Sequence, residues 1–219
     1  MNVKVLIPAR GGSKTIKGKN IVDINGFSLI SYSITAALAS KADEVWVSTN
    51  EAAIADVSRE CGARIIIRPN EICKDDSPTE DAVGHFLSEV KCDVVVLMQA
   101  TSPMVAFNDI DRGIEKYISG GYDSLFSAVR PEDMLIWNRD RMEPINYQYK
   151  DRGFRQNRDR NILIESGSFY IFSREFFMES RCRLGGKIGY IEVPFWRSFQ
   201  VDSLEDLTNL AKLMKGEKC

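Results

Sequence analysis

The sequence predicts an α/β protein in which a mostly parallel, doubly wound central sheet carries helices on both faces, three layers in all. Three observations carry this expectation. Seven short runs rich in β-branched residues recur along the chain, and several are apolar at consecutive positions, the mark of strands covered on both sides. Stretches with helical periodicity fall between them, so strand and helix alternate. The 219 residues, 44% hydrophobic, suffice to bury about two-thirds of the unfolded surface around one core.

In chain order, the expected strands are Val3–Ile7, Glu44–Ser48, Arg64–Arg68, Asp93–Met98, Ser124–Val129, Ser168–Phe172 and Gly189–Val193. Ser28–Ala39 is a helix because Leu29, Ile30, Ile34, Ala37 and Leu38 share a stripe. Glu51–Cys61 carries Ile54, Val57 and Cys61 on one side and stops at Gly62. Thr79–Glu89 opens with Glu80 and Asp81, carboxylates that suit a first turn. Asn108–Ser119 ends at Gly120-Gly121, and Leu204–Met214 is the last helix. In such a sheet ligands sit at the carboxyl ends of the strands, so the loops there are the ones to read for function.

The stretch Arg130–Leu163 breaks this rhythm, mixing Trp137, Tyr147, Tyr149 and Phe154 with seven Arg and Lys residues between Arg139 and Arg160. It is either a solvated excursion or an arm that binds anions or packs on a partner. Lys+Arg 29 against Asp+Glu 31 leaves a net charge of -2, which disfavours a nucleic-acid partner. The five cysteines are scattered singly, with no C-x-x-C pair, as suits a reducing compartment. No signal peptide or membrane span is apparent, so a cytoplasmic protein without a membrane partner is expected. The lone histidine, His85, lies inside a helical pattern and reads as structural. Cys61 and Cys92 read as small hydrophobes.

The segment after the first strand, IPARGGSKTIKGKNI, concentrates Arg10, Lys14, Lys17 and Lys19 around Gly11, Gly12 and Gly18. Glycines let backbone amides approach a ligand, while Arg and Lys supply positive charge, so a polyphosphate is the natural occupant. The loop matches neither G-x-x-x-x-G-K-[ST] nor G-x-G-x-x-G.

This segment resembles the opening motif of the CMP-sialic acid synthetase (acylneuraminate cytidylyltransferase) family, which includes enzymes for related nonulosonic acids. Arg68–Thr79 (RPNEICKDDSPT), Leu97–Pro103 (LMQATSP), Glu165–Phe172 (ESGSFYIF) and Gln200–Leu207 (QVDSLEDL) resemble further family segments in the same order. The resemblance implies a Rossmann-like domain over residues 1–219, with an arm at about 130–163 that helps form a homodimer and the sugar site. It also implies CTP and a 2-keto sugar acid as substrates, with Mg²⁺ as cofactor. By position, Arg10, Gly11, Ser13 and Lys19 would meet the triphosphate, Asn20 the nucleotide, Arg68 a phosphate, and Thr79 the cytosine and ribose. Gln99 would contact the sugar and Arg155 its carboxylate. Arg10, Lys19 and Asp202 would serve catalysis.

The family's closing motif has two acids two positions apart, whereas this chain reads Gln200-Val201-Asp202. Asp202 is the expected metal ligand. Either water and phosphate complete the shell, or another acid does, with Asp75 placed to contribute and Asp76 adjacent. Asp202 as a helix cap is the competing reading. Trp196 and Arg197 belong either to the sugar pocket or to the core. A nucleotidyltransferase using GTP or a sugar phosphate, and a non-catalytic interaction protein, are the alternative functions.

Overall fold

The computed structural model describes residues 1–131, 134–152, 154 and 162–215. The chain opens with β1 (Val3–Pro8), a small hairpin of β2 (Asp23–Ile24) and β3 (Phe27–Ser28), and α1 (Leu29–Leu38). There follow β4 (Glu44–Thr49), α2 (Ala52–Glu60), β5 (Arg64–Ile67), α3 (Thr79–Glu89), β6 (Val94–Met98) and α4 (Phe107–Gly120). Next come β7 (Ser124–Val129), a second hairpin of β8 (Trp137–Asn138) and β9 (Glu143–Pro144), and the long β10 (Ile164–Ser173). The last elements are α5 (Arg174–Ser180), β11 (Ile188–Glu192) and α6 (Leu204–Lys215). The seven apolar runs of the sequence are the seven strands of one sheet, in the order β11-β7-β10-β6-β1-β4-β5.

β1 pairs in parallel with both β4 and β6, setting Val5 opposite Val45 and Val96. β4–β5 and β7–β11 are also parallel. β10 alone runs the other way, with Tyr170 opposite Leu97 on β6 and Phe126 on β7. The reason is topological. No helix is described between β7 and β10, so the chain returns from the end at which it left, and such a return is antiparallel.

Strand residues alternate between two cores, as the pleat requires. Val3, Val5 and Ile7 point with Val47 and Val96 towards Ile30 and Ile34 of α1, Ile54 of α2 and Ile110 and Ile114 of α4. Leu6, Val95, Leu97 and Phe172 point the other way, towards Val83 and Phe86 of α3 and Phe177 of α5. A third cluster joins the ends of the chain: Ile16, Ile24 and Leu29 pack with Val201 and Leu210, with Trp196 against them. That cluster fixes the first loop relative to the segment leading into α6. Trp196 therefore belongs to the packing, and its neighbour Arg197 reaches the buried Asp109 at 2.8 Å.

The pairing of β10 with β7 slips: Glu165 lies opposite Ala128 and Tyr170 opposite Phe126, so residues 166–169 face Ser127 alone. Such a bulge leaves ladder groups unpaired. Two hydroxyls take them up. Ser127 and Ser166 Oγ lie 2.6 Å apart, Phe169 N–H donates to Ser127 Oγ (3.1 Å), and Ser166 Oγ donates to the Ser127 carbonyl (3.0 Å).

Within the irregular stretch, Asn146 pins the β8–β9 hairpin, accepting from Ile136 N–H (2.9 Å) and donating to the Met134 carbonyl (2.7 Å). Trp137 packs edge-on to Tyr147 and tilted on Tyr149. Met142, Tyr149 and Phe154 remain 70%, 58% and 73% exposed.

Candidate active site

Residues 9–18 turn off the carboxyl end of β1, the strand at which the sheet reverses its winding: α1 and α2 cover one face and α3 the other. Ile16 anchors the loop in the third apolar cluster. Gly18, at φ 65°, makes the left-handed step that opens a short 3-10 turn over Lys19–Ile21. The turn buries Asn20, whose Nδ2 donates to the Arg10 carbonyl at 3.0 Å, so the loop's two ends are clasped. Gly11 N–H donates to Asn50 Oδ1 (3.0 Å), and Asn50 Nδ2 donates to Asn70 Oδ1 (3.0 Å). Through Asn50, the loop after β1 is tied to the loop after β5.

The cations of this loop meet two carboxylates. Asp75 places Oδ1 at 2.8 Å from Arg10 and its other oxygen on Lys14. Lys14 and Arg10 hold the Asp75 carboxyl below the usual aspartate range. Lys19 Nζ lies 3.0 Å from Asp202 Oδ1, which brings the far end of the chain onto the loop. Lys17 has no ion pair among the described residues.

Arg68 differs from these. It is only 5% exposed, its guanidinium donates to the Ser48 carbonyl at 3.1 Å, and its Nε is shut from solvent with no partner. Burial pulls its pKa below the ordinary arginine value, and the repulsion of Arg10 adds to this. Two guanidinium groups repelling one another, one of them buried without a carboxylate, form a place where an anion is strongly favoured.

Asp202 follows Val201, whose N–H donates to the Thr101 carbonyl at 2.9 Å. Its carboxylate faces Lys19 and solvent. Ser203, not Asp202, caps α6: Asp206 N–H donates to Ser203 Oγ (3.1 Å), and Ser203 N–H donates to Asp206 Oδ2 (2.8 Å), a reciprocal capping box. The Ser203 hydroxyl and the amides of Asp202 and Ser203 keep the Asp206 carboxyl below its usual range. Asp202 is thus left free of capping duty. Among the described residues no group of three or more His, Cys, Asp and Glu converges on one point.

Ser13 is half-buried in the same loop. Thr79 is the first residue of α3, and Gln99 follows β6, its N–H donating to the Ser168 carbonyl at 3.0 Å. Both lie at the carboxyl end of the sheet, but no side-chain bond joins them to the loop. Arg155 lies outside the described residues. His85 is half-buried in α3 with Nδ1 unpartnered. Sequence reading passed over Asn50, and also Glu51, whose carboxylate occupies the space a side chain at position 11 would need. Isolated polar residues at a strand end leave no periodic signal.

A glycine-bearing cationic loop at the winding reversal of an α/β sheet defines a nucleotide-phosphate-binding class of protein. Residues 4–165 match the family model described as Cytidylyltransferase, and the chain belongs to that family. It is 36% identical over 209 residues to an N-acylneuraminate cytidylyltransferase of Oncorhynchus mykiss and 35% over 203 residues to N-acylneuraminate cytidylyltransferase B of Danio rerio. These alignments cover 92% and 90% of this chain but 48% of each relative, so the chain spans about half the length of those relatives. A pseudaminic acid cytidylyltransferase of Campylobacter jejuni is 26% identical over 219 residues, covering 95% of this chain and 94% of that one. In fold, the chain is similar to a CMP:2-keto-3-deoxy-manno-octonic acid synthetase complexed with CTP, at TM-score 0.76 and 20% identity over the whole of both chains.

Proposed function

We propose that this chain transfers CMP from CTP to the anomeric hydroxyl of a nine-carbon 2-keto sugar acid, sialic acid or a related nonulosonate. The observation that carries the reading is the buried, acid-free Arg68 beside the Arg10–Lys19 loop, with Asp202 brought onto that loop by Lys19. The anomeric hydroxyl gives up its proton to water as its oxygen attacks the α-phosphorus, the bond from that phosphorus to the bridging oxygen of the β-phosphate breaks, and pyrophosphate leaves. Negative charge grows on the α-phosphoryl oxygens and on the departing group, so fixed positive charge is the catalyst required. Arg10, Lys14 and Arg68 hold the triphosphate, while Lys19 serves the reacting phosphate from its clasped position. Asn20, by fixing the Arg10 carbonyl, keeps the two ends of the loop in register. Asp202 would hold Mg²⁺, which would supply further neutralisation of the triphosphate. The relatives' names support a nonulosonate as acceptor.

The reading extends to the setting. Four cysteines, Cys61, Cys73, Cys92 and Cys182, are free among the described residues, which suits a cytoplasmic protein. The net charge of -2 suits a partner that is a small anion rather than nucleic acid. No described helix is long and apolar enough to cross a membrane. The exposed aromatics of the arm fit a second copy of the chain. The test is product analysis by mass with each of the four nucleoside triphosphates and a panel of 2-keto sugar acids. CMP-sugar and pyrophosphate are expected from CTP alone. Turnover of GTP with a sugar phosphate, or no turnover at all, overturns the reading.

A further inference from the structure

Gln200 stands where the resembled motif has its first acid, and its carboxamide is already engaged. Nε2 donates to the Ser166 carbonyl at 2.8 Å, and Oε1 accepts from Thr101 Oγ1 at 3.4 Å. The group beneath it is Gly167, at φ 69°, where a Cβ would stand 2.6 Å from Nε2. So the bulge of β10 presents a bare backbone to the amide, in a conformation that favours glycine. Two backbone bonds complete the junction: Val201 N–H to the Thr101 carbonyl (2.9 Å) and Gln99 N–H to the Ser168 carbonyl (3.0 Å). Three segments that lie far apart in sequence therefore meet at one side chain.

We infer that Gln200 is a positioning residue, a latch between the β10 bulge and the turn after β6, and that it is not a cation ligand. A carboxamide can donate to a carbonyl and accept from a hydroxyl at the same time, whereas an ionised carboxylate can only accept. A carboxylate there would oppose its oxygens to the Ser166 carbonyl. The latch sets two groups of the proposed site relative to each other: Gln99, one hydrogen bond from the bulge, and Asp202, two residues along the chain. Of the two positions that hold acids in the resembled motif, only Asp202 then offers one to a cation. The consequences for substrate rest on the function proposed above, but the latch itself does not.

Gln200→Glu keeps the shape and loses the donor, while Gln200→Met keeps the volume and loses both bonds. Without ligand, both variants should melt at least about 3 °C below wild type, because a half-buried carbonyl loses its partner. Hydrogen exchange at residues 166–169 should quicken at least about tenfold, a change of about 1.4 kcal/mol in local opening. With CTP present, Mn²⁺ affinity of Gln200→Glu, read by electron paramagnetic resonance, should stay within about twofold of wild type. A cation ligand at this position would instead tighten Mn²⁺ about tenfold or more once charged. Gln200→Met should raise the KM for the best sugar acid of the panel about tenfold while leaving the KM for CTP within about twofold. Tighter Mn²⁺ with melting and exchange unchanged overturns the latch, and equal rises in both KM values overturn the positioning role. A wild-type protein without any turnover would sink the proposed function, yet melting and exchange would still decide for or against the latch.

Discussion

At the scale of the residue, Arg68 is the side chain whose cost to the fold is easiest to see. A cation 5% exposed, with one carbonyl partner and an orphaned Nε, is held against its own desolvation. The Ser48 carbonyl also accepts from Ala9 N–H at 2.9 Å, so removing the guanidinium leaves no orphan behind. Arg68→Met should therefore leave the melting temperature of the ligand-free protein unchanged or raised. The KM for CTP should rise about 10- to 100-fold, the loss of one charged hydrogen bond. Calorimetry and steady-state kinetics on the same preparation check both halves. A lowered melting point with an unchanged KM would make Arg68 a structural residue. Its place in the site was legible in the sequence only through the resemblance of RPNEICKDDSPT, because nothing in one Arg at a strand end announces burial. Arg10, Lys14 and Lys19 were legible from composition, being crowded with glycine into one short loop. Asn50, and the donor role of Gln200, depend on partners distant in the chain, which no local pattern reveals.

At the scale of the element, β1 and β4 are bound by more than their ladder. Lys4, 8% exposed, reaches Glu44 at 2.7 Å, and Trp46 Nε1 donates to the same carboxylate at 2.8 Å. Lys4 first, then Trp46, holds the Glu44 carboxyl below its ordinary value of 4.5. A carboxyl lowered in the folded state stabilises above its unfolded pKa, and the contribution fades as pH falls through the folded one. The urea midpoint of wild type should exceed that of Glu44→Gln at about pH 7, and the gap should narrow as pH drops below 4.5. A gap that is constant with pH would show that the charge contributes nothing. The strands and five of the helices were legible because burial on both faces writes long apolar runs and stripes. Direction is not written that way: SFYIF reads alike whether it runs with or against β6, and only the return through the arm makes β10 antiparallel. α5 buries Phe177 alone, too little to leave a stripe.

At the scale of the whole molecule, the irregular stretch 130–163 carries several exposed apolar side chains. Trp137, Met142, Ile145 and Tyr149 stand 42%, 70%, 52% and 58% exposed around a hairpin held rigid by Asn146. Sedimentation should report twice the 24.7 kDa chain mass, and Met142→Asp with Tyr149→Asp should shift the population towards monomer. A wild type that is monomeric and fully active at assay concentration would remove the arm from any shared site.

The two carboxylates seated on the first loop have a consequence for turnover. Arg10 and Lys14 already share Asp75, and Lys19 already holds Asp202, so the polyanion of the proposed reaction would swap places with groups that remain covalently tethered. Tethered counter-ions return at an effective concentration on the order of millimolar as soon as the site empties. Under the proposed function the loop would act as an ion-exchange surface that regenerates itself, each departing product replaced by the protein's own acids rather than by salt from solution.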